Sequence, residues 1–169
     1  MKIQNGFEKV CLLFLPCVML LVHSAAAQER ADKFSCAEAQ PEKACSASNT
    51  CGSDSAPCSV DVKRTRNSST AEPDISDPKQ KDRFCVKAGT TVKFHTTDKN
   101  TGFIVDFGPS SPFDPPGAVR DGSDRTVSVV AKRPGCFKYS AGACISGAID
   151  QMCQSVNQEV VVIPGGATN

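Results

Sequence analysis

Sulfur and imidazole are the side chains here that could do chemistry. The chain of 169 residues carries ten Cys, two His and three Met, with no Trp and a single Tyr. Three uses compete for such a set: disulfide bonds, a soft-metal site, or a nucleophile with its base. Catalysis finds little to work with. Beyond the first 27 residues His95 is the only imidazole, and no glycine-flanked nucleophilic serine is present. An even number of cysteines past that point favours disulfides over a free catalytic thiol. The sequence therefore reads as non-enzymatic.

The first 27 residues form a unit. Lys2 and Lys9 give a basic start, residues 10–22 (VCLLFLPCVMLLV) are apolar, and Ala25 and Ala27 are small residues at the end. This is the three-part pattern of a secretory signal peptide, with cleavage expected after Ala27. The apolar run of 13 residues is shorter than the roughly 20 that a spanning helix needs. Lipid attachment at Cys17 is disfavoured because Pro16, not a small residue, precedes it. No later segment is long and apolar enough to span a bilayer, so the expected location is secreted or periplasmic. Those compartments permit disulfides. Removing 27 residues leaves 142, with eight Cys, one His, one Met and 17 side chains of each charge. A neutral chain has no electrostatic basis for holding a nucleic-acid backbone.

Residues 28–57 make a Cys-rich polar arm. Phe34 is its one aromatic residue, and Ile, Leu and Val are missing from it. Such a segment cannot bury enough apolar area to offset its chain entropy unaided. Cys36, Cys45, Cys51 and, at its border, Cys58 are separated by eight, five and six residues. None of these gaps is the close pair of a structural zinc site.

From Cys58 onward the hydrophobic period is two. Val60 and Val62, Val92 and Phe94, and Phe137 and Tyr139 alternate with polar residues, and Phe84 and Val86, Phe103, Val105 and Phe107, and Val127 and Val129 keep the same spacing. The run EVVVI at 159–163 is unbroken, as for a strand buried on both faces. Turn residues separate the runs, as in Asp98-Lys99-Asn100-Thr101-Gly102 and Arg133-Pro134-Gly135. About seven short strands and no convincing helix predict an all-β fold, an antiparallel β-sandwich or barrel, over 58–164, with 165–169 as a short tail. Residues 64–83 read as polar connection and 108–117 as a Pro-rich loop. Residues 141–157 are small-residue-rich and read as a non-strand segment with room for one helical turn.

Three stretches add a resemblance. Residues 86–94 (VKAGTTVKF), 102–107 (GFIVDF) and 134–140 (PGCFKYS) resemble, in order and spacing, strands of the cupredoxin fold of plastocyanin- and azurin-type proteins. The resemblance implies an antiparallel Greek-key sandwich and suggests where a copper ion would sit. A blue copper site needs two imidazoles and a thiolate, often with a weak axial thioether. At the implied thiolate position stands Ser140, and Phe103 and Ile104 stand around the first imidazole position. No His lies between 141 and 151. The type 1 copper site is degenerate, and no cofactor is expected. The alternative is copper binding or electron transfer through a non-standard set: His95, Cys144, Met152 and Cys153. On the cupredoxin layout the turns at Lys87-Ala88-Gly89 and Pro134-Gly135 share one end, implying a Cys85–Cys136 disulfide. A Cys144–Cys153 disulfide would close the loop vacated by copper. Cys36, Cys45, Cys51 and Cys58 would then pair among themselves. For eight cysteines about 105 pairings are open to sequence reasoning.

His95 alternates with Val92 and Phe94 and is expected to face solvent. Met152 reads as packing material. Asp114, Asp121 and Asp124 lack the tight spacing of a calcium loop. Lys63, Arg64 and Arg66 are balanced by Glu72, Asp74 and Asp77 as a solvated face. Asn67-Ser68-Ser69 fits a glycosylation acceptor. Phe113, held between prolines, is either an exposed contact group of a binding loop or a lid on the core. The expected function is a structural or interaction module for an unidentified protein partner.

Overall fold

Strand alternation builds the molecule. In the computed structural model, Cys58–Arg64 (β1) buries Cys58, Val60 and Val62 and turns Ser59, Asp61 and Lys63 outward. The structure describes residues 34, 36, 40–65, 68–122, 125–145 and 154–165. Nine strands follow β1: Ser69–Pro73 (β2), Arg83–Lys87 (β3), Thr91–His95 (β4), Thr101–Asp106 (β5), Phe113–Asp114 (β6), Val119–Asp121 (β7), Val127–Ala131 (β8), Gly135–Ile145 (β9) and Gln154–Ile163 (β10). Three short 3-10 turns, Pro41–Ala44, Pro78–Gln80 and Gly108–Ser110, are the helical elements among the described residues. None is long and apolar enough to cross a membrane.

Two five-stranded sheets result, ordered β2-β1-β4-β8-β6 and β3-β10-β9-β5-β7. Their inner faces share one core. Val60, Val62, Val92, Phe94, Phe113 and Val129 come from the first sheet, and Phe84, Val86, Phe103, Val105, Tyr139 and Val160 from the second. Phe94, Phe107 and Phe113 meet edge to face at centroid separations of 4.9–6.2 Å, a geometry that satisfies the ring quadrupoles.

The sheets are mixed, not antiparallel. β1 pairs with β4 in parallel, and β3 with β10 in parallel. Period-two alternation reports which face a residue occupies and is silent on strand direction. Direction is set where the chain crosses between sheets, as it does between β3 and β4. Among the described residues, ten strands replace the expected seven. β2 reads STAEP and buries Ser69, Ala71 and Pro73, a face with too little hydrophobicity to stand out. β6 and β7 are two and three residues long. Residues 141–145 and 154–157, expected as non-strand, extend β9 and β10. Their alternation is written in alanine: Ala141 and Ala143 are fully buried.

The open edge of β2 is closed by a side chain of the other sheet. Gln158 is 2% exposed. Its Oε1 accepts from Ala71 N–H at 3.0 Å, and its Nε2 donates to Ala71 O at 2.9 Å and Lys81 O at 3.1 Å. The carboxamide thus stands in for a neighbouring strand's peptide, and main-chain groups at an edge need such a partner.

Candidate functional site

The cysteine pattern becomes a third layer. Three disulfides join described residues: Cys36–Cys136, Cys45–Cys85 and Cys51–Cys58. The expected Cys85–Cys136 bridge is not made, and of Cys36, Cys45, Cys51 and Cys58 only the last two pair with each other. Register gives the reason. Cys85 of β3 and Cys136 of β9 are both Cα partners of Val161 on β10, which lies between them. Two strand spacings of about 4.8 Å place them roughly 9.6 Å apart, beyond the ~7 Å that a disulfide spans. Cys136 bonds Cys36 and Cys85 bonds Cys45, with Cα separations of 5.5 and 5.8 Å. Cys144 is also in a disulfide; its bonding partner, like Cys153 and Met152, lies outside the described residues.

Cys85, Val161 and Cys136 form a row on the outer face of the second sheet, because their strand neighbours Phe84, Val86, Val160, Val162 and Phe137 point into the core. Val161 is nevertheless 1% exposed and Cys85 fully buried. The arm covers them. Its Pro41–Ala44 turn packs against β9 and β10. Its main chain runs along β3, with Cys85 N–H donating to Asn49 O and Cys51 N–H donating to Cys85 O, both at 2.8 Å. Further along, Lys138 N–H donates to Phe34 O at 3.0 Å, at a point on β9 that β5 no longer flanks. Buried Asn49 ties the arm down. Its Nδ2 donates to Ala44 O at 2.9 Å and Gln80 Oε1 at 2.7 Å, and its Oδ1 accepts from Ser46 N–H at 2.7 Å. Gly108, at φ 61°, leaves room for the Phe34 ring; a Cβ there would lie 2.4 Å from it.

At the margin of the arm a cleft of about 400 Å³ opens on the same outer face, lined by Asp82, Arg83, Lys138, Asn157, Gln158 and Glu159. Glu159 is the Cα partner of both Arg83 and Lys138. Its Oε2 accepts from Arg83 Nε at 2.6 Å and pairs with Arg83 Nη2. Beside it, Cys36 Sγ, Cys136 Sγ and a Glu159 carboxylate oxygen all lie within 4.8 Å of one another. Sequence reasoning missed this cluster. A signal for the cover was present: an unbroken EVVVI needs both faces buried, and the arm had no core of its own.

The outer face of the first sheet is different in kind. A groove of about 290 Å³ is lined by Asp61, Lys63, Glu72, Asp74, Lys81 and His95, among others. Lys81 reaches Glu72 at 2.9 Å and Lys63 reaches it at 3.3 Å. The hydrogen bond from Lys81 holds the Glu72 carboxyl below its ordinary range against the opposing effect of burial. The hydrogen bond to Glu72 raises the Lys63 ammonium. Asp61 accepts from Thr97 N–H at 3.0 Å and Thr97 Oγ1 at 2.7 Å. The charges satisfy one another as a solvated face.

Of the alternative copper ligands, His95 and Cys144 are described and are not brought together, while Met152 and Cys153 lie outside the described residues. His95 follows core residue Phe94 on β4 and faces the outer groove of the first sheet. Cys144 follows core residue Ala143 on β9 of the second sheet. The core stands between them. Ser140 is half-buried on β9, and Phe103 is a core residue. Phe113 is 3% exposed and packs on Phe94 and Phe107, so it is a lid on the core and not a binding group. Tyr139 is fully buried, and its Oη has no hydrogen-bond partner among the described residues. Burial, then the charge of Asp82, pushes its phenol far above the ordinary range.

No protein-family model matches the chain, and no curated protein matches it significantly.

Proposed function

We propose that this is a secreted or periplasmic, non-enzymatic cupredoxin-like protein that serves as a structural or interaction module and lacks a type 1 copper site. What supports this reading is the separation of His95 and Cys144 onto the outer faces of different sheets, together with Ser140 at the position that resembles the family's thiolate. One ion cannot take ligands across a packed core, and a hydroxyl is a poor substitute for a thiolate at a cupric centre. Cysteine is instead spent on cross-links, the usual role in an oxidising compartment. The contact surface for a partner is the exposed stretch 114–117 of the Pro-rich loop, since loops on rigid sandwiches carry binding.

The test is metal analysis and thiol titration of the full chain produced through a secretory route. The expected result is substoichiometric copper and no free thiol. Stoichiometric copper with unpaired Cys144 and Cys153 overturns the reading in favour of a copper-handling protein.

A further inference from the structure

We infer that the Cys36–Cys136 cross-link doubles, when reduced, as a zinc-class metal site completed by Glu159, so that the arm can be pinned either by a covalent bond or by an ion. The inference stands apart from the copper question, since none of these residues belongs to the copper set. Three observations carry it. Cys36 Sγ, Cys136 Sγ and a Glu159 oxygen lie within 4.8 Å of one another, so small side-chain adjustments would bring all three to one ion. Two thiolates and a carboxylate are a borderline-soft set that suits Zn²⁺, with a fourth position left for water. Two of the donors stand on the central strands of the second sheet. Glu159 is on β10 and Cys136 two residues from its register partner Lys138 on β9, both on the outer face. Such donors are held in place before any ion arrives.

The second observation concerns the carboxylate. Arg83 holds Glu159 through Oε2, by its Nε and its Nη2. Arg83 thereby orients the carboxylate, as supporting residues do around metal sites. The third concerns access. Cys36 and Cys136 are half-buried, and Glu159 lines the 400 Å³ cleft. Cys51, Cys58 and Cys85 are at most 1% exposed, so Cys36–Cys136 is more open to a reductant than either disulfide that contains them.

The chemistry balances with a phosphine as reductant. Phosphorus attacks one sulfur, the S–S bond breaks, and water hydrolyses the phosphonium thiolate adduct. The products are a phosphine oxide and two thiols. Binding of one Zn²⁺ or Co²⁺ then releases the two thiol protons to solvent.

The experiment treats the full mature chain with limiting phosphine, maps free thiols by alkylation and mass spectrometry, and titrates Co²⁺ and Zn²⁺. The expected result is free Cys36 and Cys136 and one Co²⁺ per chain with thiolate-to-cobalt charge-transfer absorption, displaced by Zn²⁺. The oxidised chain binds none. Cys36→Ser abolishes the absorption. Glu159→Gln keeps both thiols and weakens binding by about tenfold or more; it decides the matter if Cys36→Ser fails to fold. Equal binding by the Glu159→Gln and parent chains, retention of the ion by Cys36→Ser, or a Cys36–Cys136 bond that stays closed while the fold persists overturns the inference.

Discussion

The two sheets bury their inner faces alike and their outer faces differently. On the first sheet, Asp61, Lys63 and Glu72 meet solvent and pair with one another. On the second, Val161 and Cys85 face outward yet are hidden beneath the arm. A sandwich of two layers needs one apolar face per sheet. The second sheet has an apolar strip on its other face as well, and its strand β10 is apolar without alternation from Val160 to Val162. The difference teaches how an arm without a core becomes ordered. Its own apolar content is too small to hold it, so cross-links supply what burial does not.

Breaking the cross-links tests that contrast most strongly. By loop closure, Cys36–Cys136 at a sequence separation of 100 is the heaviest staple. Replacing both with Ala is expected to cost about 4–5 kcal/mol. The Cys45–Cys85 pair, at separation 40, should cost about 4 kcal/mol, and Cys51–Cys58, at separation 7, about 2–3 kcal/mol. Chemical denaturation checks the ranking. Hydrogen exchange sharpens it: loss of the first two staples should release the Cys85 and Lys138 amides, which bond the arm, and leave the β1–β4 ladder protected. Equal loss of protection in both sheets would show that the arm is not a separable layer.

Gln158 offers a cross-link of another kind, from the second sheet to the edge of the first. Gln158→Leu leaves Ala71 N–H and O and Lys81 O without this partner, and a destabilisation of about 2–4 kcal/mol is expected in urea melts. Tyr139→Phe goes the other way. It removes a buried hydroxyl with no partner among the described residues and keeps the ring against Phe84 and Phe107, so stability should hold or rise by up to about 1 kcal/mol. A loss instead would mean that the hydroxyl is satisfied in solution.

The smallest effect belongs to the first sheet's ion pairs. The Glu72 carboxyl is depressed in the folded chain, so its contribution is present above the unfolded-chain value near 4.3. It fades as pH falls through the lower folded value. Partly exposed pairs contribute about 0–1 kcal/mol. Glu72→Gln should therefore shift the urea midpoint slightly at pH 7, and the shift should shrink progressively as pH falls below the unfolded-chain value. A loss as large as that of a staple would show that the outer groove is structural.

Much of the sandwich was legible because alternation is a local property. Val60 and Val62, or Val92 and Phe94, declare an inner face wherever their strands run. Strands such as β2 and β7 were not legible, since they are short and bury Ser, Ala, Pro or a lone Val. Phe113 had two readings in sequence, and only the arrival of Phe94 and Phe107 beside it decided between them.

An all-β chain whose strands mostly bury one side, with 159–163 buried on both and cysteine in surplus over histidine, is written in the sequence. Tertiary structure alone decided strand direction, sheet order and disulfide pairing. Each depends on which strands become neighbours. Val161 stands between Cys85 and Cys136, and that one intervening strand denies them a bond to each other and hands both to the arm. Local periodicity cannot encode such a separation, because it is set by chain crossings far away in sequence.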